Sequence, residues 1–140
     1  MCSIKHISLM LDQAYTSTLL NKKMDSSLSV HGLSFTEFII IHRLHKSQGG
    51  SMSRIALADG IGLTASGVTR LLAPMTKNNI VLKTANPRDA RQSMVALTDT
   101  GKELYRDALI SFEHTCSSAF SLLEEPETEQ LLALLNKIKC

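Results

Sequence analysis

Apolar residues recur every three to four positions over most of the chain, a spacing typical of helices that bury one face. The first such run predicts a helix over residues 4–24, ended by Asp25-Ser26-Ser27. The stretch Ser34-Phe35-Thr36-Glu37 has the form of a capping box, which predicts a second helix to about Ser47. The chain therefore begins as two helices.

A short helix, a tight turn and a further helix are predicted next. Ser53 can cap the short helix, and the glycines of Asp59-Gly60-Ile61-Gly62-Leu63 suit the turn. Thr64 opens the next helix, whose buried face is formed by Val68, Leu71, Leu72 and Met75. We expect Pro74 to bend or loosen the final turn of this helix and Asn79 to end it in a left-handed conformation.

The opposite face of the Thr64 helix carries small, hydroxylated and basic side chains. At about 100° per residue, the helix directs four side chains away from its core face, with Thr69 at the flank; the four are Ser66, Arg70, Ala73 and Lys77. This composition suits contact with a polar, negatively charged partner.

A β-hairpin and two helices complete the predicted order. Residues 81–85 and 93–97 have strand character, and the segment 86–92 between them is charged and turn-rich. Thr98-Asp99-Thr100-Gly101 predicts a long helix to about Leu123, and a leucine-rich last helix begins at Pro126; no internal repeats occur. A helix-turn-helix followed by a hairpin is a winged helix. We therefore predict a mainly α fold with a small β-hairpin wing.

This architecture indicates recognition of double-stranded DNA. A helix fits the major groove, its outward side chains can meet base edges, and a charged hairpin can reach the neighbouring backbone or minor groove. The net charge of +2 is divided into +2 over residues 1–50, +4 over 51–106 and −4 over 107–140, so positive charge is concentrated in the winged-helix segment.

Composition excludes several other classes. With 140 residues, 44% of them hydrophobic, the chain suits one globular domain or a protomer that pairs to complete its core. No apolar run approaches the roughly 20 residues of a membrane span, and no signal-peptide pattern is visible, so we expect a cytoplasmic protein without membrane contact. No catalytic motif or phosphate-binding glycine loop occurs, so we predict neither an enzyme nor a cofactor.

Two segments resemble the MarR-type (multiple antibiotic resistance regulator) family of transcriptional regulators. Leu63-Thr64-Ala65-Ser66-Gly67-Val68-Thr69-Arg70-Leu71-Leu72 resembles the family's recognition helix. Asn86-Pro87-Arg88-Asp89-Ala90-Arg91, followed by Val95-Ala96-Leu97-Thr98-Asp99-Thr100-Gly101, resembles its wing signature. The similarity is tightest over residues 51–104. Pro74 departs from it, because many members carry a charged residue there.

The resemblance implies roles for individual residues. In the recognition helix it implies base or phosphate contacts by Ser66, Thr69 and Arg70, with Thr64 near the backbone. In the wing it implies that Arg88 and Arg91 reach the minor groove or phosphates, and that Asp89 braces the loop. We also count Ser53 and Lys77 among the candidate DNA contacts.

The resemblance also implies an assembly. Residues 34–104 would form the DNA-binding lobe, and residues 1–33 and 105–140 the helices of a homodimer. Such a dimer is most often a repressor that binds a pseudo-palindromic operator. A small-molecule effector is expected between the dimer helices and the lobe, with Tyr15, Phe38 and His42 as candidate lining residues.

Two alternatives remain within this fold. One is a redox- or metal-sensing regulator, because Cys2, Cys116 and Cys140 are candidate thiols and three histidines could bind a metal: His42, His45 and His114. None of these has a compact ligand spacing, so we predict no metal site. The other alternative is a winged-helix protein-interaction module that does not bind DNA, although such a module has no need of a basic wing.

Overall fold

In the computed structural model, which describes residues 3–86, 88–89 and 91–139, the chain is mainly helical with one small sheet. The helices and strands, in chain order, are α1 (Ser3–Leu28), α2 (Phe35–Lys46), β1 (Ser51–Ser53), α3 (Arg54–Ile61), α4 (Ala65–Lys77), β2 (Val81–Ala85), β3 (Ser93–Leu97), α5 (Asp99–Ala119) and α6 (Glu125–Ile138). Single 3₁₀ turns follow α1 and α2. The predicted fold class, mainly α with a winged helix-turn-helix, is confirmed.

Local sequence signals set most helix starts. The Ser34 hydroxyl accepts a hydrogen bond from the Glu37 amide at 3.1 Å, and the Ser34 amide donates to the Glu37 carboxylate at 2.9 Å, so the capping box is confirmed. Thr98 caps α5 in the same way, by accepting from the Gly101 amide. After α4, Asn79 has a positive φ of 61°, as predicted for a left-handed stop.

Two helix ends differ from the sequence prediction. The predicted break at Asp25-Ser26-Ser27 is wrong, because α1 continues to Leu28, whose side chain is completely buried. The polar residues serve tertiary contacts instead: the Asp25 carboxylate accepts from the Phe35 amide at 2.7 Å, and the Ser27 hydroxyl lies 2.6 Å from that of Thr115 in α5. The predicted end of α5 near Leu123 is also wrong, since α5 ends at Ala119.

The wing belongs to a three-stranded antiparallel sheet of order β1-β3-β2. The predicted β2–β3 hairpin is confirmed, with Val81 opposite Leu97 and Ala85 opposite Ser93. Strand β1 was missed, because three residues are too few to show a period. It pairs with β3 through Met52 opposite Val95 and so ties the start of α3 to the wing.

The core lies between α2, the α3–α4 pair, the sheet and the first half of α5. Its largest fully buried side chains are Tyr105, Phe38, Leu28, Ile40, Ile41, Leu44, Leu57, Met75, Val68 and Val95. By contrast, none of the described residues of α6 is buried. Within the described residues no single helix is both long and apolar enough to span a membrane, and α3 with α4 meets that length only across a 107° bend.

Candidate nucleic-acid interface

Helix α4 has the two faces that its sequence predicts. Val68, Leu72 and Met75 are buried against the core. The side chains predicted to point outward are exposed: Ser66, Thr69, Arg70, Ala73 and Lys77. Helix α4 continues through Pro74 to Lys77, so the outward face spans the whole helix. The predicted orientation of this face is confirmed.

Hydroxyl groups organise the start of α4. The Thr64 hydroxyl accepts from the Gly67 amide at 3.0 Å and lies 3.2 Å from the Ser66 hydroxyl. Thr64 is therefore the N-cap, and Ser66 stands beside it on the exposed first turn. A helix N-terminus attracts anions, because its free amides and its dipole both favour negative charge.

Arg54 lies beside α4 and was missed by the sequence reasoning. Its Nη1 donates to the Thr69 hydroxyl at 2.8 Å, and that hydroxyl donates to the Ala65 carbonyl at 3.0 Å. The only signal in the sequence is a basic residue directly after the Ser53 cap, and its partner lies fifteen positions away in the next helix. Packing of α3 against α4 creates this contact.

Two clefts flank Arg54, one between α4 and strand β2 and the other between the start of α3 and the wing. One, of about 220 Å³, is lined by Arg54, Thr69, Leu72, Ala73, Thr76 and Lys83. The other, of about 100 Å³, is lined by Ser53, Arg54, Ile55, Arg91, Gln92 and Ser93. Arg54 therefore joins the outward face of α4 to the base of the wing.

Ser53 caps a helix in the same region. Its hydroxyl accepts from the Ala56 amide at 3.1 Å and caps α3, and its side chain is half-buried. The structure thus places Ser53 at the edge of the cleft beside Arg54, while its role as a DNA contact stays a prediction.

The described residues of the wing tip form hydrogen bonds with one another. The Asn86 side chain donates to the Gln92 side chain and accepts from the Arg88 amide, both at 2.9 Å. The Asp89 carboxylate accepts from the Arg91 amide at 3.0 Å, with the Arg91 guanidinium 3.8 Å away. Pro87 and Ala90 of the wing motif lie outside the described residues.

These contacts leave the Arg91 side chain available to a partner. The Arg91 side chain is 96% exposed, and its long contact to Asp89 is the one ion pair within residues 3–86, 88–89 and 91–139. No carboxylate therefore pairs with Arg54, Arg70 or Lys77 in that part of the chain. The outward face of α4 and the wing together form a surface with uncompensated positive charge.

The three candidate effector residues are not gathered around one opening. Phe38 is buried and stacks 6.2 Å from His42, ring centre to ring centre, whereas Tyr15 is exposed on α1. His42 Nδ1 lies 2.8 Å from the Tyr105 hydroxyl, in an aromatic cluster between α2 and α5. Burial lowers the pKa of His42, with a further contribution from the charges of Lys46, Arg43 and His45.

A larger cleft lies elsewhere, between the C-terminal halves of α1 and α5. Its volume is about 650 Å³, and it is lined by Lys22, Lys23, Ser26, Ser27, Thr115, Ser118 and Ala119. It is open, it is lined mainly by lysine, serine and threonine, and it contains none of the three predicted effector residues. Their role stays a prediction.

The described residues give little structural support to the metal- and redox-sensing alternatives. Within them, no three His, Cys, Asp or Glu side chains are arranged to hold a metal. Burial, with the charge of Glu113, raises the pKa of the half-buried Cys116 thiol, which disfavours the reactive thiolate. The other two candidate thiols, Cys2 and Cys140, lie outside the described residues.

A family model and individual sequences both match this chain. The model for the transcriptional regulator SarA/Rot matches residues 22–108. The HTH-type transcriptional regulator MhqR of Bacillus subtilis is 25% identical over 130 residues, which cover 93% of this chain and 87% of that protein.

Solved structures share the fold over nearly the whole chain. A MarR-like transcription regulator from Bacillus cereus superposes with a TM-score of 0.83 at 24% identity, covering 97% of this chain and 96% of the other. A mutant MarR from E. coli complexed with operator DNA gives a TM-score of 0.88 at 18% identity, covering 96% and 95%. The resemblance stated from the sequence is confirmed.

Proposed function

This chain belongs to the transcriptional regulator SarA/Rot family and has the MarR-type winged-helix fold, and on that basis we propose that it binds double-stranded DNA as a homodimer. In the proposed complex, α4 lies in the major groove and the β2–β3 wing lies against the adjacent backbone or minor groove. The activity is sequence recognition rather than catalysis, and we expect it to act in the cytoplasm.

One observation carries this proposal: the arginines and lysine on the exposed face of α4 and in the wing have no carboxylate partner in the described chain beyond the long Arg91–Asp89 contact. Uncompensated cations attract the phosphate backbone, and side chains on an exposed helix can reach base edges. We assign base or adjacent phosphate contacts to Ser66, Thr69 and Arg70. Phosphate or groove contacts are assigned to five residues: Ser53, Thr64, Lys77, Arg88 and Arg91.

The homodimer is supported by helix surface that the protomer leaves uncovered. Helix α6 has 14 residues, none buried, and an isolated helix of that length is only marginally stable in water. Its exposed apolar residues are Leu131, Leu132, Leu134, Leu135 and Ile138, and the first half of α1 exposes Ile4, Ile7, Met10 and Leu11. A second copy provides the same surfaces, so the two could cover each other with two-fold symmetry.

Two-fold symmetry sets the form of the target. Two copies of α4 would enter successive major grooves, so half-sites are expected about one helical turn apart in a pseudo-palindrome. A repressor responsive to a small molecule is the family-based expectation. An effector that binds the DNA-incompetent arrangement better would weaken operator binding by its differential affinity. Because Phe38 is buried, a ligand that reaches it would have to open the aromatic cluster.

Selection of bound sequences from random duplex DNA tests this function. We expect enrichment of a two-fold symmetric motif by the wild type, and loss of enrichment by an Arg70→Ala/Arg91→Ala double variant that remains folded. Repeating the selection with phenolic compounds, metal ions and oxidants tests effector and redox responses. Failure of the folded wild type to enrich any duplex would contradict DNA recognition and favour the protein-interaction module.

A further inference from the structure

The hydroxyl of Thr69, at the flank of the exposed face of α4, is already engaged within the protein. It donates its proton to the Ala65 carbonyl at 3.0 Å and accepts from Arg54 Nη1 at 2.8 Å. A threonine hydroxyl has one donor and two acceptor sites. The donor and one acceptor are therefore used, and donation to a base would require breaking the bond to Ala65.

The contact with Arg54 also determines the conformation of Thr69. In helices a threonine divides between two rotamers, because its hydroxyl can bond to the preceding turn in either, whereas valine keeps one rotamer about 90% of the time. A hydrogen-bond donor that stays at one position beside the hydroxyl favours one of these two rotamers. Arg54 is itself held, since its half-buried side chain lies between α4 and the wing and lines both clefts.

Thr69 can therefore offer two groups without rearrangement, the remaining acceptor site of its hydroxyl and its methyl, and the methyl is the one that can contact an apolar group of a base. In the major groove, thymine is distinguished by its C5-methyl, and apolar contact with that methyl is a recognised readout. Resting on the DNA binding proposed above, we propose that Thr69 selects a thymine through methyl contact and that Arg54 is a positioning residue that fixes the Thr69 rotamer. This makes Arg54 a determinant of base specificity, although it lies at the start of a different helix.

Thymine-to-deoxyuridine replacement isolates this contact, because it removes only the C5-methyl. Each thymine of the selected operator is replaced in turn and affinity is measured by fluorescence anisotropy. We expect one position per half-site, within the α4 footprint, where replacement weakens wild-type binding about fourfold, the effect of one buried methyl-sized group. At that position Thr69→Ser, which keeps the hydroxyl, should bind the two duplexes equally.

Arg54→Met removes the donor and keeps an apolar stem. We expect it to reduce the ratio of the affinities for the thymine and deoxyuridine duplexes toward one. Thr69→Val and the double variant Arg54→Met/Thr69→Val should keep the wild-type ratio, since valine needs no partner to hold its rotamer. If Arg54 only contacted phosphate, Arg54→Met would weaken both duplexes by the same factor and leave their ratio unchanged. Circular dichroism melting of each variant confirms that it is folded.

The failures are distinguishable. If no duplex binds specifically, the proposed function fails and this inference fails with it. If an operator binds but every deoxyuridine duplex binds as tightly as its thymine parent, the thymine readout alone is wrong. If Arg54→Met retains the full thymine preference, Thr69 reads the base without help and the positioning role of Arg54 is wrong.

Discussion

At the residue scale, the surface proposed to contact DNA combines side chains fixed by hydrogen bonds within the protein with side chains that are exposed and have few contacts. Thr64, Thr69 and Asp89 are fixed by hydrogen bonds within the protein. Arg91, in contrast, is almost fully exposed and has only a long contact to Asp89. An exposed cation such as Arg91 suits the phosphate backbone, whose attraction depends on charge.

Arg91→Ala tests whether the wing attracts the phosphate backbone through its charge. We expect weaker operator binding and a plot of log affinity against log salt that is shallower by about 0.9 for each phosphate that Arg91 neutralises. The measurement is anisotropy across a salt series. Arg106→Ala, which removes an exposed arginine from α5, is the matched control. An unchanged slope for Arg91→Ala would show that the wing does not neutralise phosphate.

His42 gives a prediction about stability. Burial and neighbouring cations lower its folded-state pKa below 6.5, so the unfolded chain binds the proton more readily than the folded chain. The free energy of unfolding should therefore fall as pH drops below about 6.5. Urea unfolding at about pH 7.5 and about pH 5 should show a smaller loss for His42→Asn than for the wild type. The matched control is His114→Asn; an equal loss in wild type and His42→Asn would contradict the assignment.

The residues of the site could be predicted from sequence only where helical geometry fixes direction. The outward direction of Ser66, Arg70 and Lys77 follows from the apolar positions of the same helix. Arg54 could not be found in this way, because its contact with Thr69 depends on how α3 packs against α4.

At the element scale, the order of helices and the hairpin was predictable because caps and apolar periods are local signals. The extension of α1 to Leu28 was not predictable in this way. Asp25 and Ser27 are typical of a helix end in sequence, but here they bond to Phe35 and Thr115 in other elements. Strand β1 was missed for a similar reason, since its pairing partner β3 lies more than forty residues away.

The junction between β2, β3 and α5 depends on Gly101. A Cβ at this position would lie 2.2 Å from the Ile80 carbonyl oxygen, which is backbone and also accepts from the Thr98 amide. We expect Gly101→Ala to lower the free energy of unfolding by about 1–3 kcal/mol or more through overpacking. In the matched variant, Gly60→Ala, the atoms nearest to the new methyl belong to the flexible Arg43 side chain and lie at an ordinary contact distance of 3.8 Å.

Urea unfolding of the two alanine variants measures this difference. Gly60→Ala lies inside α3 and should be neutral or more stable by about 0.4–1 kcal/mol. Equal stability of Gly101→Ala and the wild type would show that α5 does not approach Ile80 this closely.

At the scale of the whole molecule, the packed core and the uncovered apolar surface lie in different parts of the chain. Most of the buried core lies in α2 through the start of α5, and α1 adds Leu28 to it. Helix α6 and the first half of α1 carry exposed apolar residues. The leucine-rich end was visible in the sequence, but a single chain does not define how two copies pack.

The double variant Leu131→Asp/Leu135→Asp tests the proposed pairing. Both side chains are exposed apolar positions one helical turn apart on α6, so charges there should oppose burial against a second copy. Sedimentation should give a dimer for the wild type and a monomeric or aggregated species for the variant. Lys137→Asp on the same helix is the control. A wild-type monomer, or an unaltered dimer in the variant, would contradict an interface at α6.

The central claim is that the exposed face of α4 reads base pairs, and Arg70 tests it most directly. The measurement is the affinity of wild type and Arg70→Ala for the selected operator and for a random duplex of equal length, with Arg106→Ala as control. We predict that Arg70→Ala loses about 1–3 kcal/mol on the operator and much less on the random duplex. Equal operator affinity of Arg70→Ala and the wild type would contradict the claim.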